Sequence, residues 1–502
     1  MNLALTLLAA SERRGDAEAL VDGEMRCDYA SLQARAARLA GGLAELGLKR
    51  GGRLCVLLKN RHEAVELCWA AQWLGAWFVP LNFRLGAEEI RFCVDDAEAS
   101  VVAFEEVSAG AAGACRGSGR ALLSVHDGGD ADASFDEIAS AQPHPGALDL
   151  DERETSLMLY TSGTTGRPKG VPRSHLAGRA GGLSQVIHQS YRLGDRSLGV
   201  MPIYHTMGLH TMIAMSLIDG CFAAMPEWDP AAALELIAAE RISSLYLAPT
   251  LFHDMLSKGT VDADLSSVQC IGYAGSPMSP ELAARCAQAF EPRIFFNHYG
   301  STEFYTWTIH RDQAAKPGCA GRPGINARVR LVEPVHDARP DAVVAPDEEG
   351  QVIAHMSSDE AFGGYWKRPD ADERAIRDGW YYPGDIARLD EDGDMWVVGR
   401  MDDMIISGGE NIHPAEVESV LAAHPAVKEA AVIGVSDERW GQRVVAFVVS
   451  SKIGEDELDQ HCRDSAELAA FKRPREYHFV HELPKSPTGK LLRRALREEI
   501  DT

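Results

Sequence analysis

Leu159-Tyr160-Thr161-Ser162-Gly163-Thr164-Thr165-Gly166-Arg167-Pro168-Lys169-Gly170 is the stretch on which the reading of the fold turns. The apolar run Ser156 to Tyr160 in front of it predicts a strand. The run then breaks into glycines, hydroxyls and cations. Glycines let backbone N–H groups approach an anion closely, while threonine hydroxyls and a lysine add donors and charge. A strand delivering such a loop predicts a polyphosphate cradle on an α/β sheet. The spacing is not that of G-x-x-x-x-G-K-[ST], because these glycines are three apart and no Ser or Thr follows Lys169.

On either side of the loop, strand-like and helix-like runs alternate. Upstream come a helical stripe over 28–48 (Leu32, Ala36, Leu39, Leu43, Leu46), a strand Arg53–Leu58, a helix His62–Ala76, a strand Trp77–Leu81, a helix Gly86–Ala97 and a strand Ser100–Phe104. Residues 107–150, rich in Ala, Gly, Ser and Asp, predict a partly structured surface connection with one strand, Ala121–Val125. Downstream, strands at Ser197–Met201, Cys221–Met225, Ser244–Leu247 and Cys270–Ala274 alternate with helices at 208–219, 230–240, 250–258 and 279–290. That pattern predicts doubly wound sheets. Between about 320 and 400, short alternating runs among Gly, Pro and Asp predict a mainly antiparallel section. Beyond Arg400-Met401-Asp402-Asp403, a helix Pro414–Ala423, strands Val432–Val435 and Val444–Val449 and a helix Asp456–Ser465 predict a small α+β domain. The expected fold class is α/β, with a large domain over 1–401 and a small mobile one over 402–502.

With 502 residues the chain exceeds what one core supports. A net charge of −24 argues against a general nucleic-acid or membrane-surface binder, so an anionic substrate must be met by local basic groups. None of the ten cysteines has C-x-x-C spacing, which removes the usual zinc and dithiol motifs. Met1 to Ala10 lacks a basic start and reads as a first helix rather than a signal peptide; no apolar run is long enough for a bilayer, and the expected compartment is a reducing cytoplasm.

Six motifs in order then carry a resemblance: the opening loop, Tyr299-Gly300-Ser301-Thr302-Glu303, Asp378-Gly379-Trp380 with Gly384-Asp385, Gly399-Arg400 with Asp402, Gly408-Gly409-Glu410-Asn411-Ile412, and Pro487-Thr488-Gly489-Lys490. Together they span most of the chain and resemble the adenylate-forming superfamily of acyl-CoA synthetases, luciferases and peptide-synthetase adenylation domains. Met201-Pro202-Ile203-Tyr204-His205, the run Asp402 to Pro414, Arg439-Trp440-Gly441-Gln442 and Phe471-Lys472-Arg473-Pro474 are most similar to the 4-chlorobenzoate–CoA ligases within it.

The resemblance implies a carboxylate attacking the α-phosphorus of ATP, and then transfer of the acyl group to coenzyme A. It assigns Thr161, Ser162, Gly163, Thr164, Thr165, Gly166 and Lys169 to the β- and γ-phosphates, and Glu303 with Thr161 to Mg²⁺, a hard cation that takes oxygen ligands. Ala274, Gly275, Ser276, Asn297, His298, Tyr299, Gly300, Ser301 and Thr302 would wall the adenine site. Asp385 would accept the ribose hydroxyls and Arg400 would meet phosphate or ribose. Tyr382-Pro383 departs from the commoner pattern, in which a hydroxyl residue precedes the Gly-Asp pair; that puts a minor nucleotide contact in doubt. Lys490 would bridge carboxylate and α-phosphate. Asp402 would be the hinge on which the small domain turns between half-reactions, bringing Gly408 and Gly409 to a coenzyme A tunnel. Trp440, Phe471, Lys472, Arg473, Arg475 and Arg84 would meet coenzyme A. His205 would gate the acyl pocket, lined by Thr206, Met207, Tyr246, Ala274, His298, Gly300, Tyr305 and Thr306. Aromatic walls mixed with polar groups favour a small aromatic or heteroaromatic acid such as benzoate, a halobenzoate, a hydroxybenzoate or furoate. The alternatives are a short- or medium-chain fatty acyl-CoA ligase, an adenylation enzyme loading a carrier protein, and a non-catalytic nucleotide-binding scaffold. After Met201-Pro202 the chain reads Ile-Tyr-His-Thr, where amino-acid activators place an Asp. Many members of the family are dimers, and a homodimer is the expectation carried from them.

Overall fold

The computed structural model describes the chain except residues 118, 127–128, 162–166, 260–262, 409, 451–452, 466–467, 486–490 and 501–502 and the side chain of Asn411. It divides into two compact units. One holds Met1–Val329 and His355–Gly379; the other holds Arg330–Ala354 and Trp380–Thr502.

The first unit is built on two sheets. The seven-stranded sheet runs, from one edge, through Ala133–Ser134, Ala121–Ser124, Val101–Phe104, Arg53–Leu57, Trp77–Pro80, Thr155–Thr161 and Lys169–Ser174. Its inner pairs are parallel, as in Leu54 opposite both Phe78 and Val101, and only the last pair is antiparallel. The inner strands are buried on both faces, so they read as unbroken apolar runs rather than alternating ones. The nine-stranded sheet is parallel from Glu18–Asp22 to Ile294–Tyr299 and carries antiparallel strands at both edges. The helices between strands start where expected. Asp28 caps Tyr29–Glu45 through the Ser31 N–H at 2.7 Å, and Asp229 followed by Pro230 opens Pro230–Ala239.

The strand expected at Ala121–Val125 forms as Ala121–Ser124, and residues 107–150 go further than a surface connection: Ala133–Ser134 adds an edge strand to the seven-stranded sheet, and Phe135–Ala139 packs into the core. The stretch rich in glycine and threonine joins two antiparallel strands, Thr155–Thr161 and Lys169–Ser174, and the helix His175–His188 follows.

In the second unit, Gly350–His355, Asp385–Leu389 and Met395–Arg400 pair antiparallel, as the alternating runs predict. The tail is a long hairpin, Val427–Asp437 with Gly441–Ser450, flanked by Ile405–Ser407 and Glu476–Phe479. Its alternation fills two cores. Val432, Val444, Ala446 and Val448 face one side; Ala431, Ile433, Val445 and Phe447 face the other. The tail is therefore α+β, and the chain as a whole is α/β.

All ten cysteines are free and buried. Among the described residues no helix is long and apolar enough to cross a membrane.

Candidate active site

Strand Thr155–Thr161 carries the chain to residues 162–166, so Ser162, Gly163, Thr164, Thr165 and Gly166 lie outside the described residues. The two ends of the loop are in place. Thr161 sits opposite Lys169, and Tyr160 opposite Gly170. Gly170 is close-packed: a Cβ there would lie 3.0 Å from Met158 Sδ and 3.1 Å from Trp366 Cβ, and its carbonyl accepts the Trp366 N–H at 2.9 Å. The Lys169 ammonium lies 4.3 Å from the centre of the Tyr365 ring. Burial lowers its pKa and Glu303 partly restores it. The Tyr365 hydroxyl in turn donates to Glu303 Oε1 at 2.7 Å. Lys169, Tyr365 and Glu303 thus form one cluster at the mouth of the loop, with Glu303 buried.

The strand Ile294–Tyr299 ends in the turn that presents Glu303. Gly300 is required there, since a Cβ would sit 1.7 Å from the Tyr305 carbonyl oxygen. Ser301 N–H donates to the Phe304 carbonyl at 2.9 Å, and Ser301 Oγ accepts the Phe304 N–H at 3.2 Å. A buried cation holds this turn from below. Arg173, on Lys169–Ser174, donates to the carbonyls of Thr302 at 2.7 Å and Glu360 at 2.8 Å. Desolvation lowers its pKa to about 10. The Glu360 carboxylate accepts from Thr306 N–H and Asn326 Nδ2, both at 2.9 Å, and its pKa is raised by burial. In the nine-stranded sheet, Ala274 pairs with His298 and Tyr273 with Asn297 across neighbouring strands. Gly275 takes φ +85° into open space and Ser276 is exposed. Asn297 Nδ2 donates to the Cys319 carbonyl at 3.0 Å, and Tyr299 packs edge-on to Trp307.

The turn before His205 is set by Asn60. Its amide donates to the carbonyls of Gly199 at 2.9 Å and Met201 at 2.6 Å, and its Oδ1 accepts the Ile203 N–H at 3.0 Å. That fixes the turn leading to His205, the residue before helix Thr206–Leu217. Gly208 lets the helix close on this turn, because a Cβ would lie 2.1 Å from the Met201 carbonyl oxygen. Burial lowers the His205 pKa to about 4, so its imidazole is neutral at pH 7. Tyr204 packs on His205 and on Phe83, and the exposed Arg84 lies over Phe83.

Tyr246, His298, Tyr305 and Thr306 are buried, as is Met207, while Thr206 is half-exposed. His298 Nε2 faces the Tyr305 carbonyl at 3.1 Å, which only a donor can satisfy. The proton is therefore on Nε2, and Nδ1 accepts from the Tyr246 hydroxyl. Tyr305 stacks on His210 at 3.9 Å, and its hydroxyl donates to Gln185 Oε1 at 2.7 Å. Gln185 continues to Tyr191 and Thr211, and Ser184 Oγ donates to Thr306 Oγ1 at 3.2 Å. The polar atoms expected to face a substrate are engaged with one another.

In the second unit, Asp385 and Arg400 pair across adjacent strands. Arg400 Nη1 donates to Asp385 Oδ1 and Nη2 to the Pro383 carbonyl, both at 2.8 Å. Gly384 before them has φ +84°, and the Tyr382 hydroxyl donates to the Ala338 carbonyl at 3.1 Å. Asp402 is exposed in the short turn Met401–Asp403, while its neighbour Asp403 faces Arg493 and Arg497. Gly408, at φ +64°, donates its N–H to the Trp440 carbonyl at 2.7 Å and lies against the Trp440 ring. Trp440 and Phe471 are both exposed. Lys472 pairs with Glu416 at 2.6 Å and Arg473 with Asp459 at 2.7 Å, which leaves Arg475 exposed with no ion pair among the described residues. Gly409 and Lys490 lie outside the described residues.

The AMP-binding enzyme family matches residues 7–366, and the AMP-binding enzyme C-terminal domain matches residues 416–490. The chain belongs to the AMP-binding enzyme family. It is 36% identical over 497 residues to a feruloyl-CoA synthase from an Amycolatopsis species, covering 96% of each chain. It is 33% identical to a long-chain-fatty-acid–CoA ligase from Mycobacterium tuberculosis, covering 95% of this chain and 93% of that one. Its fold matches that of o-succinylbenzoate-CoA synthetase from Bacillus subtilis in complex with the acyl-adenylate intermediate. The TM-score is 0.86 at 27% identity, over 98% of this chain and 97% of that one. The same synthetase has been solved with ATP and a magnesium ion, at a TM-score of 0.85 and 25% identity, over 99% of each chain.

Within this AMP-binding enzyme, motif reading singles out Glu303, Lys169 and Asp385 as candidates; Arg173, Tyr365, Glu360, Asn60 and Gln185, which contact candidate residues or the turns that carry them, are not singled out by it. Each acts through a partner far away in the chain, so no local pattern marks it. The one signal available was Arg173 itself, a charge inside a strand otherwise buried at its inner positions.

Proposed function

We propose that this AMP-binding enzyme is an ATP-dependent carboxylate–CoA ligase acting on a compact aromatic or heteroaromatic acid. The observation that carries the choice of acid is the locked aromatic cluster of Tyr246, His298 and Tyr305, whose polar atoms are spent on one another and on Gln185. Such a cluster stacks on a flat ring and offers few donors to a polar chain. The similarity to a feruloyl-CoA synthase and to an o-succinylbenzoate-CoA synthetase supports an aromatic acid. A likeness to 4-chlorobenzoate–CoA ligases belongs to the same proposal. The long-chain relative keeps a fatty acid as the second reading.

In the first half-reaction a carboxylate oxygen attacks the α-phosphorus of ATP, the bond to the β-phosphate oxygen breaks and pyrophosphate leaves. Both reactants are anions, so the residues must hold charge and alignment. Lys169 and Thr161 stand at the two ends of the phosphate loop. The Glu303 carboxylate, oriented by Tyr365 and buried, suits a hard cation that takes oxygen ligands. Mg²⁺ held there with Thr161 would neutralise phosphate oxygens. Asp385, steered by Arg400, would accept the ribose hydroxyls, and Lys490 would meet the α-phosphate. The neutral His205 shields the acyl carboxylate from water without adding charge. In the second half-reaction the thiolate of coenzyme A attacks the acyl carbon and AMP leaves, with Arg84, Trp440, Phe471 and Arg475 as proposed contacts. A reducing cytoplasm suits ten free thiols. A homodimer is proposed from the family alone.

Pyrophosphate release across benzoate, halobenzoate, hydroxybenzoate, furoate, octanoate and palmitate, with and without coenzyme A, tests this reading. Release with the aromatic acids, accelerated by coenzyme A, is expected. Preference for the alkyl acids would replace the proposal with the fatty-acid reading. Release that coenzyme A does not accelerate would point to a carrier protein as acceptor, and no release with any acid would favour a scaffold.

A further inference from the structure

Away from the nucleotide and acyl groups, the start of helix His62–Leu74 gathers two imidazoles and two carboxylates. Glu63 is only 2% exposed. Its Oε1 lies 3.2 Å from His62 Nε2 and 3.0 Å from His126 Nε2. Its Oε2 is buried and has no hydrogen-bond partner among the described residues. Asp22 ends a strand beside them; donor atoms of Asp22, His62 and Glu63 lie within 4.8 Å of one another, and Asp22 Oδ2 also accepts the His62 N–H at 2.9 Å. On the far side of the ring, His62 Nδ1 meets Glu66 Oε1 at 2.9 Å. Glu66 is fully buried and clamped by Arg35 at 2.7 and 3.0 Å.

Three features of this cluster point to a metal. A carboxylate behind one ring nitrogen, with the other nitrogen aimed at further donors, is how proteins orient a ligating histidine. Asp22, Glu63 and Glu66 gather three carboxylates around Arg35 and the two imidazoles, negative charge that a divalent ion helps to balance. The spacing also fits. At bond lengths of about 2.0–2.1 Å, tetrahedral donors stand about 3.3–3.4 Å apart, close to the 3.0 and 3.2 Å that Glu63 Oε1 keeps from the two imidazole nitrogens. Donor atoms of Asp22, His62 and Glu63 already lie within 4.8 Å of one another, and the exposed His126 ring would swing in to join them. The unpartnered Glu63 Oε2 is independent of all three, because a buried carboxylate oxygen is rarely left without a donor or a cation.

We infer that His62, Glu63 and His126, with Asp22, form a binding site for a divalent first-row transition ion such as zinc. Imidazole nitrogens select such ions over magnesium or calcium, which keep to oxygen. The site adjoins the acyl gate through the chain itself, since Asn60, two residues before His62, holds the turn that leads to His205.

The test uses the full chain, stripped with a chelator and desalted. Zn²⁺ titrated by calorimetry should bind at one ion per chain, and Co²⁺ should give the visible absorption of a histidine-ligated ion. His126 is a surface residue, with its side chain 61% exposed, so His126→Ala keeps the fold. It and Glu63→Gln should each weaken Zn²⁺ at least about tenfold. His253→Ala, an equally exposed imidazole elsewhere, should change nothing. Failure of the unmodified chain to take up stoichiometric Zn²⁺ would leave the cluster as an ion-pair network and overturn the inference. So would binding undiminished in both variants, or displacement by equimolar Mg²⁺. None of these readouts depends on ligase activity.

Discussion

Burial decides the chemistry of single side chains in this enzyme. His210 and His298 have pKa values lowered to about 3 by desolvation, against 6.5 when exposed. The folded state therefore binds their protons less readily than the unfolded chain does. Stability is full above pH 6.5 and is lost as pH falls from there toward 3. At pH 5 each histidine should cost about 2 kcal/mol relative to pH 8. The urea midpoint should fall over that range, and less steeply in His298→Asn; equal slopes would remove His298 as a source. His205, lowered to about 4, stays neutral over the working range, so no ionisation of this residue should shape kcat/KM above pH 5. Glu303 should matter for charge rather than packing. Glu303→Gln keeps the Tyr365 contact in shape, yet should lower the adenylation rate about 10²-fold, read by pyrophosphate exchange. A smaller loss in Tyr365→Phe would separate orientation from charge.

Among the elements, the strand Lys169–Ser174 is the most instructive. It pairs with the strand that delivers the phosphate loop, and its buried Arg173 grips the turn presenting Glu303. Arg173→Met would leave two buried carbonyls unsatisfied and should destabilise the fold by about 2–4 kcal/mol. Arg173→Lys should not restore activity, because an ammonium cannot span both carbonyls as a planar fork does. A thermal melt beside an adenylation assay checks both. The sequence made Thr155–Thr161 legible through its apolar run, whereas Lys169–Ser174 was hidden by Pro172 and by its two charges. Ala121–Ser124 was legible as a short apolar run, whereas Ala133–Ser134 was obscured for another reason. It is a two-residue piece at the sheet edge, and only the neighbouring strand makes it a strand. Gly300 and Gly208 were visible as letters, but the atoms that forbid a side chain there come from residues brought up by the fold.

Across the whole molecule, the family motifs were readable because each keeps its chemistry within a few residues, while the packing that aims them is spread over hundreds. The proposed hinge is tested at this scale. Asp402→Pro fixes φ and should keep adenylation while losing thioester formation; survival of both rates would end the two-state proposal. Lys490→Ala should do the reverse, abolishing adenylation but sparing thioester formation from a supplied acyl-adenylate. The buried cysteines offer a way to watch the two units independently. Cys462 belongs to the second unit and the other nine to the first, all out of reach of solvent. A thiol reagent added during slow denaturation would therefore count opening events. One equivalent consumed early, followed by nine, would mean that the tail unit melts ahead of the body. A single burst of ten would mean that both melt as one cooperative block.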